Sequence, residues 1–120
     1  MIEKEDAYMA FITKGNKIIM DAYDYGIQLP FDVTGATFAP TDKMRFELKK
    51  SKDSETLLTK EFLNELDSTT KFRFFLEFSE AESKKIAPGN YVYFVRYLKH
   101  DIIQDTVVSG EVFQIKNGNG

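Results

Sequence analysis

The chain has 120 residues, a formal net charge of −3 and no cysteine. A chain of this length can form one domain with a hydrophobic core, and the lack of cysteine excludes disulfides and thiol chemistry. Charges of both signs are interspersed, which argues against the basic face that a nucleic-acid-binding protein needs. Eleven Phe and six Tyr with no Trp favour strands over helices.

Neither a targeting segment at the N-terminus nor a membrane-spanning segment is predicted. The N-terminus carries acidic residues where a signal peptide needs basic ones, and no apolar run approaches the ~18 residues of a membrane helix. We therefore expect a protein made in the cytoplasm. Residues 1–6 and the Asn-Gly-Asn-Gly end at 117–120 are expected to be flexible, which leaves residues 7–116 as a single domain.

Alternating apolar residues separated by turn residues predict seven to nine short strands. In chain order, they fall at 7–13, 17–25, a short extended piece at 31–36, and then 43–50, 57–62, 71–78, 91–98, 102–109 and 111–116. The clearest is 43–50, where Met44, Phe46 and Leu48 alternate with charged residues. No helical segment is long enough to cross over between parallel strands, so the pattern favours an antiparallel β-sandwich.

The stretch from Ser79 to Leu98 indicates which kind of sandwich this is. Ser79 and Glu82 have the spacing of a capping box, which predicts a short helical turn near 79–86 that Pro88 and Gly89 end. A capped turn that leads into a Tyr-rich strand is typical of the E–F crossover of an immunoglobulin-like sandwich. Tyr91 or Tyr93 would then be a tyrosine-corner residue, whose hydroxyl bonds to upstream backbone.

No set of residues predicts a catalytic or metal site. The one histidine, His100, is followed by Asp101, but adjacent residues in a strand or turn point apart, so we interpret both as residues of a hairpin turn. Asp21, Asp24 and Asp32 lack the ligand spacing of a calcium loop, and we expect them to be solvated carboxylates. The sequence therefore predicts a protein that is not an enzyme, with no catalytic residues, metal or cofactor.

The physical hint of function is apolar surface. Phe94, Phe75, Val92 and Leu98, together with Val112, fall on strand faces opposite to the predicted core. Two interpretations stay open, because such side chains are either covered by loops and the helical turn or form a contact surface for another subunit. On the second interpretation, the candidate interface residues are Phe94, Phe75, Val92 and Leu98.

Several segments, taken in order, resemble a family of small β-sandwich proteins of tailed phages and prophages. The matching segments are Ile12-Thr13-Lys14-Gly15, Phe31 to Ala36, Pro40 to Lys50, Glu55 to Lys60, Ala87 to Tyr93, and Val108 to Glu111 with Phe113 and Ile115. They cover residues 11–116. The chain is similar to the immunoglobulin-like domain at the N-terminus of phage baseplate upper proteins and to its stand-alone prophage relatives.

The resemblance implies a structural or adaptor module of a phage or prophage tail or baseplate. Such a module works by self-assembly or by docking to a neighbouring tail protein, without nucleic acid or membrane as a partner, and would be a virion component made in the bacterial cytoplasm. The alternative is a β-sandwich that binds carbohydrate on a cell surface. That alternative predicts an exposed aromatic platform, and the lack of Trp counts against it.

Overall fold

A computed structural model describes residues 12–14, 17–22, 26 and 28–116. These residues form eight strands and one helix: β1 (Ile12–Lys14), β2 (Lys17–Asp21), β3 (Leu29–Thr34), β4 (Lys43–Lys49), β5 (Thr56–Leu63), β6 (Lys71–Leu76), α1 (Glu80–Lys85), β7 (Gly89–Lys99) and β8 (Ile102–Lys116). One sheet has six strands in the order β1-β2-β8-β7-β4-β5, and the other pairs β3 with β6.

The two sheets form the predicted all-β sandwich. The order β8-β7-β4-β5 opposite β3-β6 corresponds to strands G-F-C-C′ opposite B-E of an immunoglobulin-like sandwich. One strand pair departs from the predicted antiparallel arrangement, because β2 runs parallel to β8 with Ile18 beside Phe113. Long connections allow this parallel pair, since β2 and β8 lie at opposite ends of the domain sequence.

Aromatic rings fill the space between the sheets. Phe46 on β4 contacts the rings of Tyr93, Phe78 and Phe113 at centroid distances of 5.8, 6.1 and 6.0 Å. On the opposite sheet, the Phe74 ring stacks on Phe31 at 5.0 Å and on Phe62 at 4.8 Å. Such stacked and edge-to-face pairs add to the stabilisation from burial, so this layer holds the two sheets together.

The crossover from β6 to β7 has the predicted capping box and tyrosine corner. The Ser79 hydroxyl accepts from the Glu82 N–H at 3.1 Å, and the Glu82 carboxylate accepts from the Ser79 N–H at 2.9 Å. The Tyr91 hydroxyl donates to the Ala87 carbonyl at 2.6 Å, which identifies Tyr91 as the corner residue. A helix of six residues is too short to be stable alone, and Lys60 of β5 fixes it by donating to Glu82 at 2.8 Å.

Strand β8 is one continuous strand, so the predicted break at Gly110 is wrong. Its register against β7 shifts three times, and Gly110 is the extra residue of one shift, with a φ of 68°. A left-handed glycine inside a strand is typical of a β-bulge, which bends the strand and keeps the pairing on both sides. The bulges at Gln104, Val107 and Gly110 follow from the pairs that flank them.

Each of the remaining predicted strands overlaps an observed strand, and where both ends are described the bounds differ by at most two residues. Within the predicted strand at 17–25, the alternation leaves Ile18 and Met20 buried, which resolves the face that the sequence leaves ambiguous. Residues 7–11 and 23–25 of the predicted first two strands, and the predicted flexible ends at 1–6 and 117–120, lie outside the described residues. Among the described residues, no helix has the length and hydropathy needed to cross a membrane.

Candidate interaction surfaces

The outer face of the six-stranded sheet is the surface on which three of the four candidate interface residues lie. In the ladder between β4 and β7, Lys43, Arg45, Glu47 and Lys49 pair with Leu98, Arg96, Phe94 and Val92, respectively. Paired residues of an antiparallel ladder project from the same face. Because Met44, Phe46 and Leu48 of β4 point into the core, these eight side chains point away from it.

Phe94 is buried on this outer face, with only 7% of its surface exposed. Lys49 lies over the Phe94 ring with its Nζ 5.0 Å from the ring centroid, and the Arg96 guanidinium lies at 4.8 Å. Both are cation–π contacts, and the long side chains shield the ring from water. The expectation that Phe94 is an exposed interface residue is therefore wrong, because cations of its own sheet cover it.

Leu98 is also unavailable as an interface residue, with 1% of its surface exposed. Lys43 lies opposite Leu98 in the ladder and donates to the Asp101 carboxylate at 3.2 Å. The aliphatic part of the Lys43 side chain therefore crosses the Leu98 position on its way to the turn. Val92 and Phe75, the other two candidates, are half-buried and remain accessible in part.

An ion-pair network occupies the centre of the outer face. The Glu47 carboxylate accepts from Arg96 at 3.0 Å, and its second oxygen lies 3.8 Å from Arg45. Arg45 also donates to Glu61 on β5 at 2.9 Å, and Arg96 donates to Thr106 on β8 at 2.8 Å. Since most of these side chains are only partly exposed, the network connects four strands through charges that are already paired.

Aliphatic side chains remain exposed around this network. Leu63 and Ile103 flank the Lys43–Leu98 pair on β5 and β8 and are 55% and 46% exposed. At the other end of the face, Val112 pairs with Val92 and is 40% exposed. Exposed apolar side chains that cluster on one face are typical of contact surfaces. The exposed aliphatic side chains therefore lie towards the two ends of the outer face, away from Phe94.

Phe75 lies on a different surface, in a groove between the edges of β5 and β6. The groove has a volume of about 260 Å³, and its lining residues are Lys60, Phe62, Phe75, Glu77 and Ser79. Phe62 and Phe75 are the described aromatic residues that are not fully buried. The structure therefore places Phe75 on a different surface from the other three candidate interface residues.

A buried carboxylate organises the end of the sandwich where the β3–β4, β5–β6 and β7–β8 connections meet. Asp42 is fully buried and accepts from the Tyr97 hydroxyl at 2.6 Å and from the Ala39 N–H at 2.9 Å. Lys99 donates to both of its oxygens at 3.2 and 3.1 Å. Burial alone would raise the pKa of Asp42, but the bonds from Tyr97, Ala39 and Lys99 outweigh burial and lower it.

We call Asp42 and its three partners, Ala39, Tyr97 and Lys99, the Asp42 clasp. A cavity of about 450 Å³ opens beside the Asp42 clasp. Its walls are Phe38, Ala39 and Pro40 of the β3–β4 loop and Asn64, Leu66, Asp67, Ser68 and Thr69 of the β5–β6 loop. The Phe38 N–H donates to the Thr69 carbonyl at 2.8 Å, which ties the two loops together. This volume lies within the ~300–1,000 Å³ range of small-molecule sites.

The residues considered for catalysis are not arranged as a site. His100 and Asp101 are exposed turn residues with φ values of 54° and 62°, as the hairpin interpretation predicts. In the described part of the chain, no group of three or more His, Cys, Asp or Glu residues could hold a metal ion.

The expectation for the three aspartates holds at Asp21 and is wrong at Asp32. Asp21 is exposed, whereas Asp32 is fully buried and accepts from Arg73 through both oxygens at 2.6 and 2.7 Å. Asp24 lies outside the described residues. Pro30 and Phe31, which precede Asp32, give no sign that it is paired with an arginine. Its partner Arg73 lies on the neighbouring strand β6.

The sequence missed the Asp42 clasp and the cavity beside it. The signal that could have found the clasp is Asp42 directly before a strand, with Tyr97 and Lys99 on one face of another strand.

The alternative of a carbohydrate-binding surface predicts an exposed aromatic platform, and the large exposed apolar residues of the described chain are all aliphatic. Comparison of the sequence with models of known protein families gave no match, and comparison with curated proteins gave none.

Proposed function

We propose that this chain is a non-catalytic structural or adaptor module that works by docking to another protein surface. The phage or prophage tail or baseplate is the setting that the ordered resemblance of residues 11–116 implies. The immunoglobulin-like sandwich is compatible with this proposal, because many cell-surface domains share this architecture. The observation that carries it is the set of aliphatic side chains, Leu63, Ile103 and Val112, that stay exposed on one sheet face.

A second copy of the chain is the partner that the charges of this face favour. This face carries both signs of charge: the cations Lys43, Arg45, Lys49 and Arg96 and the carboxylates Glu47 and Glu61. A two-fold interface uses the same patch on both subunits, so the carboxylates of one copy can meet the cations of the other. The paired ions would form the centre of the contact, and the aliphatic side chains at the two ends would exclude water around it.

The test is the solution mass by light scattering after size exclusion, at two protein concentrations and two salt concentrations. We expect a defined oligomer that survives high salt, because its contacts are in large part apolar. The double variant Leu63→Asp/Ile103→Asp should shift the mass to that of the monomer while its circular dichroism spectrum is unchanged. Ala81→Asp, on the exposed side of α1, is the matched control and should keep the oligomer.

A monomer at all four conditions would show that the chain does not dock to itself, and the partner would then be a different protein. The tail setting is tested separately by mass spectrometry of purified phage particles from a host that encodes this chain. Absence of its peptides from such particles would contradict the virion proposal without changing the conclusion about self-association.

A further inference from the structure

We propose that the cavity between the β3–β4 and β5–β6 loops binds a small neutral polyhydroxylated ligand, such as one monosaccharide unit. This site differs from the proposed docking surface, because it is a concave cavity with polar groups and the docking surface is a sheet face with exposed aliphatic side chains. The cavity lies at the end of the sandwich where the connections meet, and immunoglobulin variable domains carry their binding loops at one such end.

The polar wall of the cavity offers hydrogen-bonding groups that the fold does not use. Among the described residues, neither the Asp67 carboxylate nor the Thr69 hydroxyl has a hydrogen-bond partner in the structure. The Ser68 hydroxyl, by contrast, is used by the loop, since it accepts from the Thr70 and Lys71 N–H groups at 3.2 Å each and lies 3.4 Å from the Thr70 hydroxyl. A carboxylate only accepts hydrogen bonds, so the wall suits a ligand that carries several donors, as the hydroxyls of a sugar do.

Apolar side chains also line the cavity. They are Phe38 and Pro40 of the β3–β4 loop, of which Phe38 is buried, and Leu66 of the β5–β6 loop. A sugar ring has C–H groups between its hydroxyls, and these C–H groups can lie against aliphatic side chains. The cavity therefore does not need the exposed aromatic platform that a flat sugar-binding surface uses, and its polar and apolar lining residues match the two kinds of surface of a monosaccharide.

Hydrogen bonds within the chain hold both loops that line the cavity. The Asn64 side-chain oxygen accepts from the Leu66 and Arg73 N–H groups at 3.0 and 2.8 Å, and its amide donates to the Ser68 and Lys71 carbonyls at 3.2 and 3.0 Å. On the other side, the Asp42 carboxylate holds the Ala39 N–H. A preformed site loses little conformational entropy on binding, which matters for a ligand that makes only a few contacts.

The charges of the wall exclude two other ligand classes. Asp67 is the ionisable residue of the lining, and no Lys, Arg or His belongs to it, so a phosphate or carboxylate would meet a like charge. A small ammonium ion would gain only about 0–1 kcal/mol from one exposed carboxylate and would leave most of the cavity empty. A neutral ligand that fills the volume uses the apolar side chains and the hydroxyl groups as well.

The experiment is a titration of the ¹⁵N-labelled protein with methyl glycosides of glucose, galactose and N-acetylglucosamine, followed by amide chemical shifts. We expect saturable shifts confined to residues 38–40 and 64–69 for at least one sugar. Asp67→Ala and Thr69→Val should each weaken binding by about tenfold, the effect of losing one hydrogen bond. Asp53→Ala, in the hairpin at the opposite end, is the matched control and should bind as the native chain does.

Two results would overturn the proposal. The first is the absence of saturable shifts for all three glycosides while the spectrum shows a folded protein. The second is shifts at the same residues with butylammonium chloride that exceed those with the sugars and disappear at high salt, which would identify a cation site. Neither result bears on the oligomeric state, so the docking proposal is judged separately by light scattering.

Discussion

The two faces of the six-stranded sheet bury aromatic rings by different means. On the inner face, Phe46 is surrounded by the rings of Tyr93, Phe78 and Phe113. On the outer face, Phe94 is enclosed by Lys49 and Arg96. Burial by other rings depends on sheet packing, whereas burial by long cations depends on two charged side chains, Lys49 on the neighbouring strand β4 and Arg96 on the same strand as Phe94. Phe46 and Phe94 are both buried, but we expect their side chains to contribute different amounts to the free energy of unfolding.

The largest effect should come from the inner face. Phe46→Ala removes a ring with no exposed surface from between two sheets that cannot close the gap, and we expect a loss of about 4 kcal/mol in the free energy of unfolding. Urea unfolding followed by circular dichroism measures this loss. A loss no greater than that of Phe94→Ala would mean that the two faces are energetically equivalent.

The next effect concerns Asp42, the buried carboxylate at the end of the sandwich where the β3–β4, β5–β6 and β7–β8 connections meet. Asp42→Ala leaves the Tyr97 hydroxyl, the Ala39 N–H and Lys99 without their acceptor, and we expect a loss of about 3 kcal/mol at neutral pH. Asp53→Ala, at an exposed carboxylate, should change stability by less than about 0.5 kcal/mol. Equal effects of the two substitutions would contradict the clasp.

The pH dependence gives a second measure of the same clasp. The pKa of Asp42 is lowered from its ordinary value of 3.8, so the folded state favours the carboxylate. Its contribution to stability is therefore complete above pH 3.8 and is lost as the pH falls through the lower folded-state value. The free energy of unfolding of Asp42→Ala should fall less steeply between pH 5 and pH 2 than that of the native chain.

The smallest effect should come from the outer face. Phe94→Ala should lower the free energy of unfolding by about 2 kcal/mol, the magnitude of burying one such side chain, because Lys49 and Arg96 can settle toward the sheet and fill the space. Light scattering should show the same solution mass as for the native chain. A lower mass with unchanged stability would instead return Phe94 to the interface.

Local sequence signals predicted the fold well where one segment contains the whole motif. The Ser79–Glu82 capping box, the Tyr91 corner and the alternation in β4 each depend on residues within a few positions of one another. The parallel pairing of β2 with β8 could not be found in this way, because it joins residues about 95 positions apart and alternation does not encode strand direction. Gly110 was interpreted as a break for a similar reason, since a bulge glycine and a turn glycine look alike in sequence.

The candidate surfaces were harder to predict because some of the groups that cover a side chain belong to a neighbouring strand, as Lys43 and Lys49 of β4 do. The alternation in β7 correctly places Phe94 and Leu98 on the face away from the core. Whether these two side chains are exposed to solvent depends on Lys43 and Lys49 of β4, whose long side chains cover them. In a sequence, a lysine in an alternating strand is interpreted as facing solvent. The strand order shows that Lys43 and Lys49 also shield the apolar residues of β7 from water.

The parallel pairing of β2 with β8 has a mechanical consequence. A tensile force along the chain would pull β2 and β8 in opposite directions along their length, because the two strands run the same way and belong to opposite ends of the domain sequence. The hydrogen bonds between residues 18–21 and 113–116 would then be loaded together in shear, and the three-residue β1 would peel from β2 first. The domain should therefore resist stretching far better than a hairpin of equal length, which opens one bond at a time.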